Sequence, residues 1–592
     1  MRLNDNSNDA KPDRNYLLQV ISFMKPYWLL SLFAVLMVVA SVLADLTIPM
    51  LVQRIIDEGI TLRSMNVIIV TTETMIAVVL FAAVATILNT FLAVKVSQSL
   101  AADVRSAVFH KIQKFSFGNL DRFQTGQLIV RLSSDVNAIQ MMVMMGLRMF
   151  PQAPIMIGGS IILMFILNAE LARIMLLLLP LTLVLAAVFV VKALPMFLEI
   201  QRRLDKLNVV LQENLAGVRV VKAFVRMDHE AERFEKANTD LTNQAMKVLT
   251  ILALLFPSMQ IIFNVGILGV VWYGGLQVIA GRFTVGEILA FTNYLLTAVM
   301  PLLFLAMMAS QISAANASAQ RIYEVIDSEP QVQDSPEAKQ LSNVKGMVAF
   351  EDVCFNYAGD SGESVLQNIN LVAEPGQTVA VLGATGSGKS TLINLIPRFY
   401  DVTKGKITID GIDIRDVTLE SLRSHIGIAL QETILFSGPI RDNIRYGRPD
   451  ASEEEIVAAA KAAQAHEFIM SFPKGYDSDV GEKGVGLSGG EKQRISIARA
   501  LLIQPRILIL DDSTSSVDVE TEAKIQEQLE KIMENRTCFI IAQRIGTVLK
   551  ADKIVVLDKG KVAAEGNHDE LMKSSPIYKE IYDSQLGGGI KI

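Results

Sequence analysis

Apolar and polar positions divide this 592-residue chain into two regimes. The first holds six long apolar stretches, Trp28 to Val52, Val67 to Val94, Met149 to Leu167, Ile174 to Met196, Val248 to Ile279 and Val285 to Met308. A helix needs about 20 apolar residues to cross the hydrocarbon layer, so the pattern predicts six membrane-spanning helices. The connections after the first, third and fifth stretches are short. Those after the second and fourth are long, helical in pattern and basic, with Arg105, Lys111, Lys114, Arg122 and Arg131 in one and Arg202, Arg203, Lys206, Arg219, Lys222, Arg226, Arg233 and Lys236 in the other. Basic segments are retained on the cytoplasmic side, which places the long connections and both termini there.

The second regime begins after a polar stretch, residues 318–346, interrupted by Pro330 and Pro336, which reads as an interdomain linker. From Met347 short β-type runs alternate with helical patterns, as in an α/β domain. The expected organisation is therefore an N-terminal cytoplasmic segment over 1–24, an α-helical transmembrane bundle over 25–317, the linker over 318–346 and an α/β domain over 347–592. Composition agrees: 51% of residues are hydrophobic and the mean hydropathy is +0.37, values of a membrane protein with a soluble part. A net charge of -6 offers no basic face, which argues against a nucleic-acid partner. Cys354 and Cys538 both fall in the polar half, so a disulfide framework is excluded and packing is their expected role. No signal-peptide pattern precedes the first apolar run, and Met1 to Asn15 is polar and mixed in charge.

Three motifs carry chemistry. Gly383-Ala384-Thr385-Gly386-Ser387-Gly388-Lys389-Ser390-Thr391 fits G-x-x-x-x-G-K-[ST] and follows the strand-like run Gln377 to Leu382. In such a loop the glycines let backbone N–H groups turn toward phosphates, the following helix adds its positive end, Lys389 reaches the β/γ oxygens and Ser390 can hold Mg²⁺. Ile507 to Leu510 is a buried-strand pattern ending in Asp511, which would complete the Mg²⁺ shell from the far side of the nucleotide. Between them, Leu487-Ser488-Gly489-Gly490-Glu491-Lys492-Gln493-Arg494 opens the helical run Ile495 to Leu502 and makes a second anion-binding nest. One nucleotide does not need two nests in one fold. The arrangement implies a dimer, in which the nest of one subunit closes on the γ-phosphate held by the other.

This last motif is the signature of ABC ATPases, and the whole chain resembles an ABC exporter half-transporter: six spans with long cytoplasmic extensions, fused to a P-loop nucleotide-binding domain. The resemblance implies ATP and Mg²⁺ as cofactors. It makes Tyr357 the aromatic that stacks on adenine, Gln431 the Q-loop residue that touches Mg²⁺, Val480 to Gly484 the loop before the signature, and Ser515 to Asp518 the D-loop, with Asp518 crossing to the opposite site. The turns around Phe117 to Arg122 and Asn214 to Arg219 would be the coupling helices.

Two positions depart from that pattern. The family carries a catalytic Glu after the Walker B Asp, where this chain has Asp512, and a switch His where it has Gln543. Asp512 is one methylene shorter, and misplacing a catalytic group by about 1 Å can cost on the order of 10²-fold. Gln543 can donate a hydrogen bond but cannot carry charge or relay a proton. The signature is intact apart from Glu491 in place of Gln. The chain thus resembles the degenerate subunit of a bacterial heterodimeric exporter, paired with a half-transporter whose Walker B and histidine are normal; a slowly hydrolysing homodimer, an exporter of lipids or peptides, and an ATP-gated regulator are the alternatives. Amphiphilic small molecules are the expected cargo and the bilayer the expected surroundings. Polar residues within the spans, Asp45, Asn89, Gln260, Asn264 and Asn293, are candidates for cargo contact or for interhelical hydrogen bonds, and the methionines from Met141 to Met149 suit an adaptable apolar cavity or ordinary packing.

Overall fold

The computed structural model describes residues 15–357, 364–511, 536–541 and 548–586, except for the side chains at 174–179, 183, 186, 190, 194, 299–300, 302–310 and 585–586. It forms two compact units, residues 1–113 with 126–328, and residues 114–125 with 329–592.

The first unit is helical. A short helix, Tyr16–Ile21, and a 3-10 turn, Ser22–Tyr27, lead into Trp28–Arg54, followed by Met65–Gln113, Val136–Leu167, Ala169–Ala216, Met227–Ala253, Leu255–Ile279 and Val285–Ile326. Each apolar stretch read from the sequence lies on these helices, and among the described residues five helical segments are long and apolar enough to cross a membrane. The helices continue well past the apolar stretches: Met65–Gln113 has 49 residues, or ~74 Å at 1.5 Å per residue, more than twice the hydrocarbon thickness. The fifth stretch is broken at Leu254. Pro257 has no N–H to return to the Ala253 carbonyl, and its ring crowds that oxygen.

Polar residues hold the spans together where the apolar pattern alone would let them slide. Asn89 is buried and donates to the carbonyls of Ala34, at 2.7 Å, and Leu147, at 3.3 Å. It therefore ties the second span to the first and third. Tyr294 donates to the Leu46 carbonyl at 2.6 Å, within a core of Val42, Met164, Phe291 and Leu295. Asn293 bonds within its own helix, to Leu289.

One boundary differs from the sequence reading. The last helix runs to Ile326 rather than stopping at 317, because no Gly or Pro stands between residues 302 and 326 and because Ser318 and Arg321 are bonded to Asp135. The second cytoplasmic turn falls within the expected Asn214 to Arg219: Ala169–Ala216 continues through Asn214, the break is at Gly217, whose φ is -93° and ψ 9°, and the helix Val218–Ala223 follows.

In the second unit the described residues form a six-stranded sheet in the order Lys561–Gly566, Lys553–Asp558, Thr378–Leu382, Thr537–Ile541, Ile507–Asp511 and Ile426–Ala429. Its inner strands are parallel and nearly all apolar, as strands covered on both faces must be. Val348–Phe355, Leu366–Ala373, Lys404–Ile409 and Ile412–Asp413 make a separate antiparallel sheet. Apolar cores lie on both sides of the parallel sheet, one around Phe350, Ile393 and Phe539, the other around Ile495, Leu501 and Tyr578.

Candidate nucleotide-binding site

Thr378–Leu382 is paired on both sides in the parallel sheet, so the loop that follows leaves the carboxyl end of an inner strand, where open α/β sheets bind ligands. Two glycines there are obligatory. Gly383 has φ +153°, and a Cβ on it would stand 2.2 Å from the Leu557 carbonyl oxygen; Gly388 has φ +101°, and its Cβ would meet Leu366 Cδ2 at 2.7 Å. A side chain at Gly383 would strike backbone, and one at Gly388 would be forced into a left-handed φ against Leu366, so both positions keep the loop tight. Gly388 also begins the helix Lys389–Leu395.

A cavity of about 270 Å³ opens beside this loop, lined by Thr385, Gly386, Gly388, Lys389, Ser390 and Thr391, with Gln431 and Asp511 opposite. Lys389 Nζ donates to the carbonyls of Gly383, at 2.8 Å, and Ala384, at 2.9 Å. Its ammonium is thereby held over the phosphate loop. Ser390 Oγ lies 3.5 Å from Asp511 Oδ1, and Asp511 is only 5% exposed. A hydroxyl, an amide and a carboxylate thus converge as hard oxygen donors, the set that Mg²⁺ takes. Ser387 is also buried in the loop.

Tyr357 is half-exposed at the edge of this region, and its hydroxyl pairs with Thr391 Oγ1 at 3.0 Å. Phe355 and Tyr400 stand edge-on to its ring at 4.9 and 5.2 Å. The ring is fixed in orientation by these contacts.

Ser488 caps the helix Gly489–Leu502 as part of a capping box with Glu491. Glu491 accepts from the Ser488 N–H at 2.7 Å and from its hydroxyl at 2.9 Å. The Gly489 and Gly490 N–H groups, in the first turn, have no carbonyl within the helix to bond and make the end anion-binding. The reciprocal box is legible in the Ser-x-x-Glu spacing, and it ties together Ser488 and Glu491, which with Gly489 and Gly490 are the residues expected to meet the opposite subunit's nucleotide. Asp512, Ser515, Asp518 and Gln543 lie outside the described residues.

The segment 114–125 belongs to this unit. Phe117–Arg122 forms a helical turn in which Phe117 stacks on Phe399 at 4.1 Å and Asp121 accepts from the Tyr400 hydroxyl at 2.7 Å. Burial, reinforced by the Asp121 carboxylate, raises the Tyr400 phenol well above its ordinary pKa. Sequence reasoning missed Tyr400 because nothing local to it marks a partner 279 residues away.

Comparison with known proteins decides the family. The profile of the ABC transporter transmembrane region matches residues 31–302, and that of the ABC transporter ATP-binding domain, described as ABC transporter, matches 366–515. Over 570 residues the chain is 39% identical to YfiB, an uncharacterized ABC transporter ATP-binding protein of Bacillus subtilis, covering 96% of this chain and 98% of that protein. This chain belongs to the ABC transporters. Another relative of the transporter is an ATP-dependent lipid A-core flippase of Desulfotalea psychrophila, 43% identical over 469 residues, 78% of this chain and 80% of the flippase. Its fold matches a bacterial Atm1-family ABC exporter solved with ATP bound, at a TM-score of 0.78 and 28% identity, covering 98% of this chain and 100% of that one. With a transmembrane region and an ATP-binding domain fused in one chain, the protein is an ATP-hydrolysing ABC exporter, multi-pass in the membrane with its ATP-binding domain in the cytoplasm.

Proposed function

We propose that this chain is one half of a heterodimeric exporter of amphiphilic compounds, which binds ATP at its own Walker site, hydrolyses it poorly there, and completes its partner's site with its signature helix. The observation that carries this reading is the coexistence, in one chain, of an ordered phosphate loop and signature cap with Asp512 and Gln543 at the two positions that would handle the attacking water and the γ-phosphate.

The loop does the binding. Its N–H groups and Lys389 hold the phosphates, and the lysine exchanges two carbonyl contacts for charge-assisted ones. Ser390, Gln431 and Asp511 would hold Mg²⁺, which would neutralise phosphate charge when bound. Tyr357 stacks on the adenine. Asp512, with its shorter reach, leaves the water poorly oriented, and Gln543 donates to the γ-phosphate without adding charge. Bound ATP then acts mainly as an adhesive between the two ATP-binding domains.

The partner's nucleotide meets Ser488, Gly489 and Gly490. There Glu491 holds the Ser488 hydroxyl, and it must release that bond for the serine to reach a phosphate.

Amphiphilic cargo is supported by a cavity of about 380 Å³ in the helical unit, where Met149, Met156 and Leu296 supply apolar, adaptable walls and Gln152 and Thr297 the polar groups. The flippase named among the relatives handles a lipid.

The test is ATPase activity of the purified chain alone and after co-expression with a neighbouring half-transporter. Activity that appears only in the pair, survives Asp512→Ala and is abolished by loss of the partner's catalytic Glu supports the heterodimer. Vigorous turnover by the chain alone, abolished by Asp512→Ala, overturns it in favour of a homodimer.

A further inference from the structure

The N-terminal end of the helix Gly489–Leu502 attracts anions, and it already carries one of its own. Glu491 accepts from the Ser488 N–H at 2.7 Å and from the Ser488 hydroxyl at 2.9 Å, both at Oε2, and its own N–H donates to Ser488 Oγ at 3.4 Å. The serine hydroxyl and N–H that would greet a phosphate are therefore engaged by a carboxylate.

The cations next in sequence do not offset that charge. Lys492 donates to the Lys483 carbonyl at 3.0 Å, and its stem is packed against Gly484, where a Cβ would stand 2.8 Å from Lys492 Cε. Arg494 donates to the carbonyls of Gln464, at 3.0 Å, and Gly490, at 3.4 Å, and lies over the Phe468 ring at 4.5 Å. Among the described residues no lysine or arginine pairs with Glu491. The fold thus turns both neighbouring cations toward carbonyls and leaves the carboxylate charge to the helix end alone. A glutamine would accept the same two bonds through its amide oxygen, since Ser-x-x-Gln is also a capping box. Charge, not capping, is what glutamate adds here.

We propose that Glu491 is an internal competitor for the opposite subunit's γ-phosphate, and that it raises the ATP concentration at which the two ATP-binding domains close. This rests on the reading that the signature helix meets the opposite subunit's nucleotide, and adds that the residue after its two glycines tunes that encounter. Closure turns the Ser488 hydroxyl from carboxylate to phosphate and leaves two negative groups at one helix end. The γ-phosphate is there in bound ATP and in the transition state alike, so the penalty raises KM and leaves kcat unchanged. Glu491 is a positioning residue, acting through the serine and through its field.

The experiment measures ATPase activity against ATP concentration for the full-length chain in lipid nanodiscs, with its partner half or alone, whichever assembly turns over. A unit charge about 4 Å from another in water changes an equilibrium roughly fivefold. Glu491→Gln should therefore lower KM about fivefold at low ionic strength, with kcat within about twofold of the parent and an unchanged melting temperature. The gap should shrink below about twofold near 1 M salt, where the Debye length is about 3 Å. Glu491→Ala, which loses charge and cap together, should lower KM likewise while melting earlier.

A role in capping alone predicts a Glu491→Gln variant indistinguishable from the parent, and that result overturns the proposal. So does a gap that persists at high salt, or an effect confined to kcat. Should Glu491→Gln not fold, a folded Glu491→Ala with the parent's KM refutes it. Ser488→Arg tests the underlying reading: undiminished turnover removes that reading and the proposal with it, whereas abolished turnover beside a parental KM in Glu491→Gln overturns the competitor alone.

Discussion

Replacing Tyr400 with Phe deletes a single hydroxyl and keeps the ring that packs against Tyr357, Phe355 and Phe117. The lost interaction is the 2.7 Å bond to Asp121. Hydrogen bonds to charged groups contribute about 1.5–3 kcal/mol, and Asp121 is on the surface, which favours the low end. A loss of about 1.5 kcal/mol is roughly tenfold in the equilibrium between docked and undocked turn. Hydrogen exchange of the peptide covering 114–125 reads that equilibrium directly, since local opening governs exchange there. The expected result is about tenfold faster exchange in Tyr400→Phe and in Asp121→Asn, with the double variant little faster than either, because both remove the same bond. The effect should also be flat between pH 6 and 9. A phenol whose folded pKa is raised contributes its full stability below the ordinary value of about 10, and loses it only as pH rises through the higher folded value. Exchange within about twofold of the parent, or additive effects in the double variant, would refute the bond's role in docking.

Gly388→Ala forces a side chain into φ +101° and against Leu366; strain and overpacking together should cost about 2–5 kcal/mol, read as a lower melting temperature and the loss of fluorescent-ATP binding. Asn89→Ala removes two carbonyl contacts between spans and should destabilise the helical unit by about 1–2 kcal/mol, checked by unfolding in detergent, with ATP affinity unchanged. Cys538 is buried, which pushes its thiol up to about 12, whereas Cys354 is partly accessible. Alkylation at pH 8 should therefore modify Cys354 in the folded protein and reach Cys538 only on denaturation, as counted by intact mass. The neutral Cys538 thiol keeps its stability contribution below the ordinary thiol value and forfeits it as pH climbs through about 12.

How much was legible in the sequence depended on how local the cause was. A membrane span is a matter of length and hydropathy, and a phosphate loop is a matter of glycine spacing before a lysine; both are written within one short window. The six apolar stretches therefore lie on helices, and Thr385, Lys389, Ser390, Gln431 and Asp511 share one cavity although Gln431 and Asp511 are far from the loop in the chain. Glu491 was also locally determined, since its partner Ser488 is three residues away. Helix ends were harder. The end of the last helix depended on Asp135, 183 residues from Ser318, whereas the break at Gly217 falls inside the turn expected from the sequence.

The amino-acid sequence by itself determined the two regimes of the chain, the phosphate loop, the signature cap and the departures at Asp512 and Gln543, because each rests on residue identity or short-range spacing. Only the tertiary structure decided that residues 114–125 belong with the ATP-binding unit, that Tyr400 holds Asp121, and that Asp135 holds Arg321 of the last helix. Those contacts join residues separated by 186 to 279 positions. Their partners are chosen by the shape of the packed unit, which no periodicity or motif along the chain records.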